Sequence, residues 1–132
     1  MGVSYLLDTH VLLWALSRPE RLPEPLRVQL VDPANRLIVS SISAFEIATK
    51  NRLGNLPGVG PLLSAWPERI SDLGAEELDV RGSHAVLAGS MGWAHRDPFD
   101  RMLVAQSIIE DLVLVTSDSA IQMGPTARVL GF

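Results

Sequence analysis

The sequence predicts an α/β domain with a mainly parallel central sheet and helices on both faces. Three observations carry that expectation. Short apolar runs at Tyr5-Leu6-Leu7, Leu37-Ile38-Val39 and Leu112-Val113-Leu114-Val115 read as buried strands. Stretches of helix composition separate them, and strands alternating with helices mark a parallel sheet. The length, 132 residues, is enough for one domain with a hydrophobic core, spanning 1–132, and short for two.

The first strand ends at Asp8-Thr9, and the apolar VLLWAL that follows predicts a helix packed on most of its surface. Arg18-Pro19 closes it, because the residue before a proline is driven out of the helical region. Residues 23–31 predict a second, more amphipathic helix, stopped before Pro33. A strand is expected over 36–42, then a helix over 43–53 with Gly54 as its natural stop. The glycine- and proline-rich stretch 55–61 is a connection. Residues 62–73 have helix composition, with Pro67 set against their continuity. A short strand is expected over 76–80, and over 83–90 a helix weakened by Gly89. The plainest helix is 98–110, which has proline in its first turn. The buried strand 112–115 follows, then one or two helical turns over 118–123 and an edge strand over 128–130.

Acidic residues outnumber basic ones, 15 to 11, for a net charge of −4. That balance argues against a protein that grips nucleic acid by a broad basic face. It is compatible with a cluster of acids neutralised by bound cations. The apolar share of 47% excludes a disordered chain. With no cysteine there is no disulfide and no thiolate metal site, which fits a reducing cytosol. No apolar run approaches the roughly 20 residues of a membrane span. The start, Met-Gly-Val-Ser-Tyr, lacks the basic segment of a secretory signal. A cytoplasmic protein with no membrane partner is therefore expected.

Parallel sheets place ligands outside the carboxyl ends of their strands. Asp8 and Asp118 each follow an expected strand, and Glu46 lies at the start of the helix after another. Asp100 starts the helix that leads into the Asp118 strand, so all four can face one edge. Each also has an ordinary structural explanation. Asp8 and Asp118 stand where N-caps stand, and Ser43-Ala44-Phe45-Glu46 fits a capping box. Asp97-Pro98-Phe99-Asp100 fits a cap, a first-turn proline and an acid favoured by the helix dipole. Capping explains them singly but does not require them on one edge. Four acids converging there repel one another unless a cation sits between them. An all-oxygen inventory suits Mg²⁺ or Mn²⁺ rather than zinc. Asp97 is read first as the cap, with a ligand role second. His10, His84 and His95 lack a paired zinc spacing. His10 is expected in or beside the first helix, and His95 and Arg96 in a solvated loop close to the acids. Trp14, Trp66 and Trp93 are expected in the core or at interfaces.

In order, LLDTHVLLW, SAFEIATKNRLG, HRDPFDRMLVAQS and LVTSD resemble the motifs of a PIN-domain ribonuclease, specifically a VapC-type toxin of a bacterial toxin–antitoxin pair. The resemblance covers nearly the whole chain and is weakest over 55–94, where no family signature stands. It implies a three-layer α/β/α PIN-like fold. It also implies that Asp8, Glu46, Asp100 and Asp118 are the acidic quartet around Mg²⁺ or Mn²⁺. Thr9, Thr116 and Ser117 match small hydroxyl positions beside that quartet, and Arg101 follows the third acid as in many relatives. With Asp97, these form the set expected to touch substrate or support the ligands. The implied reaction is hydrolysis of RNA phosphodiester bonds, leaving 5′-phosphate and 3′-hydroxyl ends. Asp8 and Asp100 are expected as direct ligands. Glu46 is expected as a ligand or to orient the attacking water, and Asp118 to act through a second metal or through water. The implied partners are RNA, a VapB-type antitoxin and a second copy of the chain in a homodimer. The apolar first two helices are expected to be core, the alternative being a groove for the antitoxin.

Rivals lose on named residues. A haloacid-dehalogenase-like phosphatase needs a second acid two positions after Asp8, where His10 stands. A response-regulator receiver needs a lysine near the last strands, and the chain's lysine is Lys50. The alternatives within the same architecture are an inactive PIN-like module that binds RNA or protein, and a metal-dependent DNA nuclease.

Overall fold

Alternate side chains of a strand point to opposite faces, and here both faces carry apolar residues that need cover. The computed structural model describes residues 2–126 and 128–132. Its strands are β1 (Ser4–Leu7), β2 (Arg36–Ser40), β3 (Ala75–Leu78), β4 (Val113–Thr116) and β5 (Val129–Gly131). They form one sheet in the order β3-β2-β1-β4-β5, and every neighbouring pair is parallel. The helices are α1 (Thr9–Ser17), α2 (Glu24–Val31), α3 (Ser41–Arg52), α4 (Gly60–Ser64), α5 (Trp66–Asp72), α6 (Gly82–Ser90), α7 (Pro98–Ile109) and α8 (Ser119–Gln122). A single 3₁₀ turn, Pro19–Arg21, separates α1 from α2.

The pleat divides the core in two. Tyr5, Leu7, Leu37, Val39 and Val115 face one side, where they pack with Val11, Leu12, Leu26, Leu30, Leu62 and Ile70 from α1, α2, α4 and α5. Leu6, Ile38 and Leu114 face the other, against Leu103 and Val104 of α7 and Ile121 of α8. The result is the expected three-layer α/β/α arrangement. Leu12, Leu26 and Leu30 of the first two helices are core, as expected, while Val28 and Val31 stand exposed on α2.

The strand order reverses between β1 and β4, so connections leave these neighbours in opposite directions and open a crevice at their carboxyl ends. The Asp8 amide donates to the Val115 carbonyl at 3.0 Å, which ties the first residue past β1 to β4. This is where the acids gather.

Several boundaries differ from expectation: β3 is Ala75–Leu78 rather than 76–80, and β5 is Val129–Gly131 rather than 128–130. The second strand ends at Ser40 rather than at position 42, because the Ser40 hydroxyl accepts from the Ile42 amide at 3.1 Å and starts α3 there. The expected capping box of Ser43 and Glu46 is consequently absent: Ser43 is a buried helical residue, and Glu46 reaches across to α1. The stretch 62–73 is two helices, broken at Ala65 with Pro67 in the first turn of the second. Gly54 does stop α3, in a left-handed conformation (φ 79°) that side-chain-bearing residues adopt at a cost.

Candidate active site

Asp8, Thr9, His10, Glu46, Lys50, Asp97, Asp100 and Asp118 line one small cleft of about 80 Å³ at the carboxyl edge of the sheet. The acids expected to converge from four separate stretches of sequence do so.

Asp8 is both cap and cleft residue. Its Oδ1 accepts from the Val11 amide at 2.8 Å, and its Oδ2 accepts from the buried Thr116 hydroxyl. The same Thr116 oxygen accepts from the Asp118 amide at 3.0 Å, so one hydroxyl fixes both acids. Burial pushes the Asp8 carboxyl above its ordinary pKa, against the bonds from Thr116 and Val11 that favour the charged form. Asp118 is exposed and caps α8, its Oδ1 accepting from the Ala120 amide at 2.8 Å.

Glu46 is buried with both oxygens committed. The Thr9 hydroxyl donates to Oε1 at 2.6 Å, and the Lys50 ammonium, one helical turn on, pairs with Oε2. Thr9 also shares a hydrogen bond of 3.0 Å with Ser43. Burial acts to lower the Lys50 pKa, but the bond to Glu46 and the field of Glu46, Asp97 and Asp100 outweigh it and leave the pKa raised. Lys50 is thus the cation of a cleft otherwise crowded with carboxylates.

Asp97 caps α7 as expected, its Oδ1 accepting from the Phe99 amide at 2.9 Å and the Asp100 amide at 3.3 Å. Asp100 lies in the first turn, with Oδ2 bonded to His95 Nε2 at 2.7 Å. Burial lifts its pKa to about 6, helped by the nearby charges of Asp97 and Glu46 and opposed by the bond to His95. His95, expected as a solvated loop residue, is instead half-buried against this acid, and its ring lies 4.8 Å from that of Trp93. One donor atom each from His95, Asp97 and Asp100 lies within 4.8 Å of the others. These three form the candidate metal group among the described residues; Asp8, Glu46 and Asp118 do not join it at that spacing but line the same cleft as Asp97 and Asp100.

Arg101 does not reach the cleft. Its guanidinium donates to the carbonyls of Ala88, Met91, Trp93 and His95 at 2.7–2.9 Å, so its donors hold the loop that carries His95. Ser117 is exposed and lies outside the cleft. Four contributors were not read from the sequence as site residues: Lys50, Ser43, His10 and His95. For Lys50 a signal existed, since a lysine four residues after a glutamate on a helix is its natural partner.

The donor set fits a hard divalent cation. Each free oxygen is a carboxylate oxygen, a single imidazole joins them, and the neighbouring negative charges that raise the Asp100 pKa are the charges such an ion would neutralise.

The PIN domain family model matches residues 5–123, which take in β1–β4 from Tyr5 on and all the cleft residues. The chain belongs to the PIN-domain family. Ribonuclease VapC22 of Mycobacterium tuberculosis is 31% identical over 114 residues, covering 86% of this chain and 85% of that protein. At that identity and coverage this is a VapC-type PIN domain. In the DNA-bound VapBC complex of Salmonella typhimurium, one chain superposes with a TM-score of 0.72 at 20% identity, with 98% of each chain covered. A chain of VapBC2 from Rickettsia felis, bound to a DNA fragment from its promoter, superposes with a TM-score of 0.71 at 17% identity, covering 98% of this PIN domain and 99% of that chain. The described helices of this PIN domain include none long and apolar enough to cross a membrane.

Proposed function

We propose that this PIN domain is an Mg²⁺- or Mn²⁺-dependent endoribonuclease, the toxin of a toxin–antitoxin pair, held in check by a VapB-type antitoxin. The observation that carries the reading is the convergence of Asp8, Glu46, Asp97, Asp100 and Asp118 on one cleft at the sheet's switch point. The ribonuclease name of the Mycobacterium tuberculosis relative supports the substrate, and the VapBC complexes support the partner.

Asp8, Asp100, Glu46 and Asp118 are the residues we assign to hold the cation, with Asp97 and His95 beside Asp100. A divalent cation bound there would lower the pKa of a water and polarise the scissile phosphate. The chain's own residues then have distinct roles. Thr116 fixes the Asp8 carboxylate by one oxygen while leaving lone pairs for a further partner. Glu46, gripped by Thr9 and Lys50, orients the attacking water and takes up its proton. The ammonium of Lys50 faces the negative charge that grows on the phosphoryl oxygens. Attack on phosphorus breaks the P–O3′ bond, and O3′, taking a proton from solvent water, departs to leave a 5′-phosphate and a 3′-hydroxyl.

Purified protein given Mg²⁺ or Mn²⁺ should cut RNA and stop in chelator. Asp8→Asn and Asp100→Asn should each lose more than about 100-fold in activity, beyond what loss of a supporting residue costs. Both should keep the far-ultraviolet circular dichroism of the parent. Undiminished cleavage by either variant sinks the assignment, and cleavage of DNA but not RNA would reassign the substrate.

A further inference from the structure

Arg18, Arg21 and Arg69 line a second groove, of about 370 Å³, together with Trp14 and the turn at Leu56 and Pro57. His10 lines both this groove and the acidic cleft, so the two are neighbours on either side of one exposed side chain. The groove's lining contains no acid. In a chain of net charge −4, three of the 11 basic residues collect here. None of the three takes part in an ion pair among the described residues. Unpaired arginines that crowd together repel, and an anionic occupant relieves that cost.

We propose that this groove holds the backbone phosphates of the single-stranded RNA on one side of the scissile bond. The proposal rests on the ribonuclease reading and locates the strand that reading requires. A strand whose scissile phosphate enters the acidic cleft is repelled by its walls, and its flanking phosphates need cations outside. The path past His10 leads to them. Arg21 is held ready for such a phosphate, because its guanidinium carbon lies 5.6 Å from the centroid of the Trp14 ring. Stacking on that face holds the planar cation while leaving its N–H edge free for phosphate oxygens. Trp14 is therefore a positioning residue for Arg21. An acidic peptide is the competing occupant, but the position next to the cleft, with His10 common to both, favours the substrate strand.

Binding of a fluorescein-labelled single-stranded RNA of mixed sequence can be followed by anisotropy in chelator, where cleavage is off. Replacing Arg18, Arg21 and Arg69 together by Gln should flatten the plot of log affinity against log salt by about 2, since each phosphate contact on a single strand contributes about 0.7. Affinity at 0.15 M salt should fall at least about tenfold. The triple Lys variant should keep the slope, and Trp14→Phe should keep more affinity than Trp14→Ala. Arg18 and Arg21 are exposed, so their loss uncovers no core, and circular dichroism checks the fold. The wild-type protein gives a variant-free arm: RNA carrying 4-thiouridine should photo-crosslink to peptides containing residues 10–21 or 56–69.

An unchanged slope in the folded triple Gln variant, or crosslinks confined to other peptides, overturns the proposal. So does loss of a hexaglutamate peptide from the triple variant with RNA binding intact, which would make the groove a protein-docking site. The two readings fail separately. If Asp100→Asn still cuts, the cleft assignment falls while RNA binding in chelator still tests the groove. If cleavage needs Asp100 but the slope is unchanged, the groove alone falls.

Discussion

Burial lifts the Asp100 pKa to about 6, and although the bond to His95 opposes the lift, the charges of Asp97 and Glu46 add to it. The acid's ordinary value is 3.8, so between those two values the folded chain holds a proton that the unfolded chain has lost. A raised carboxyl contributes stability that is complete below the unfolded value and is lost as pH rises through the folded one. A shift of that size has a ceiling of about 3 kcal/mol. The Asp100 side chain keeps some solvent exposure, which reduces the expectation to about 1–2 kcal/mol. In chelator, wild-type stability should therefore fall relative to Asp100→Asn as pH rises from 4 to 6.5, in denaturant melts of both proteins. Asp8 is also raised by burial and is common to both proteins, so the comparison isolates Asp100. Parallel pH profiles would show that the Asp100 carboxyl is not held neutral.

At the scale of elements, the first turn of α7 works only because the loop before it is held. Arg101 supplies that hold through the carbonyls of Ala88, Met91, Trp93 and His95. A lysine has the charge but not the planar fork, and cannot satisfy carbonyls spread over this range. Arg101→Lys should cost about 2–3 kcal/mol, the scale of losing one or more charge-assisted bonds. It should also loosen His95 from Asp100, visible as a changed His95 imidazole resonance in NMR spectra. A stability loss without any change at His95 would confine Arg101 to anchoring α6. The elements themselves were legible because β1, β2 and β4 are apolar runs, and α7 begins with the Asp97-Pro98 cap that local chemistry dictates. Ser40 and Ser43 were not distinguishable locally, since both are good caps; packing decided, by burying Ser43 against Thr9. The acids at strand ends were legible from topology. Their supports were not, because Thr9 to Glu46 and Thr116 to Asp8 are bonds between residues far apart in sequence. His95 was legible as a loop residue close to the acids, but its partial burial against Asp100 was not, because that follows from the loop path that Arg101 sets, which no spacing encodes.

Over the whole molecule, an acidic chain concentrates carboxylates at the one place where the sheet's topology leaves a crevice. Lys50 alone cannot balance them, since its ammonium is already paired with Glu46. Folding brings these charges together, so it carries a repulsive cost that the unfolded chain avoids. A ligand that binds only the folded chain returns that cost as global stability. Divalent cation at 100 times its dissociation constant should add about 2.7 kcal/mol. The gain must depend on pH with a definite sign. Protons compete for the same oxygens, so the rise in melting temperature with Mn²⁺ or Mg²⁺ should be large at pH 7 and shrink as pH falls below about 6, where Asp100 takes up its proton. Potassium chloride at equal ionic strength separates site binding from general screening of the net charge. Asp100→Asn should give the potassium-sized response to both salts. Equal stabilisation of wild type and Asp100→Asn by the divalent ion would show that the cation acts on the surface charge and not in the cleft.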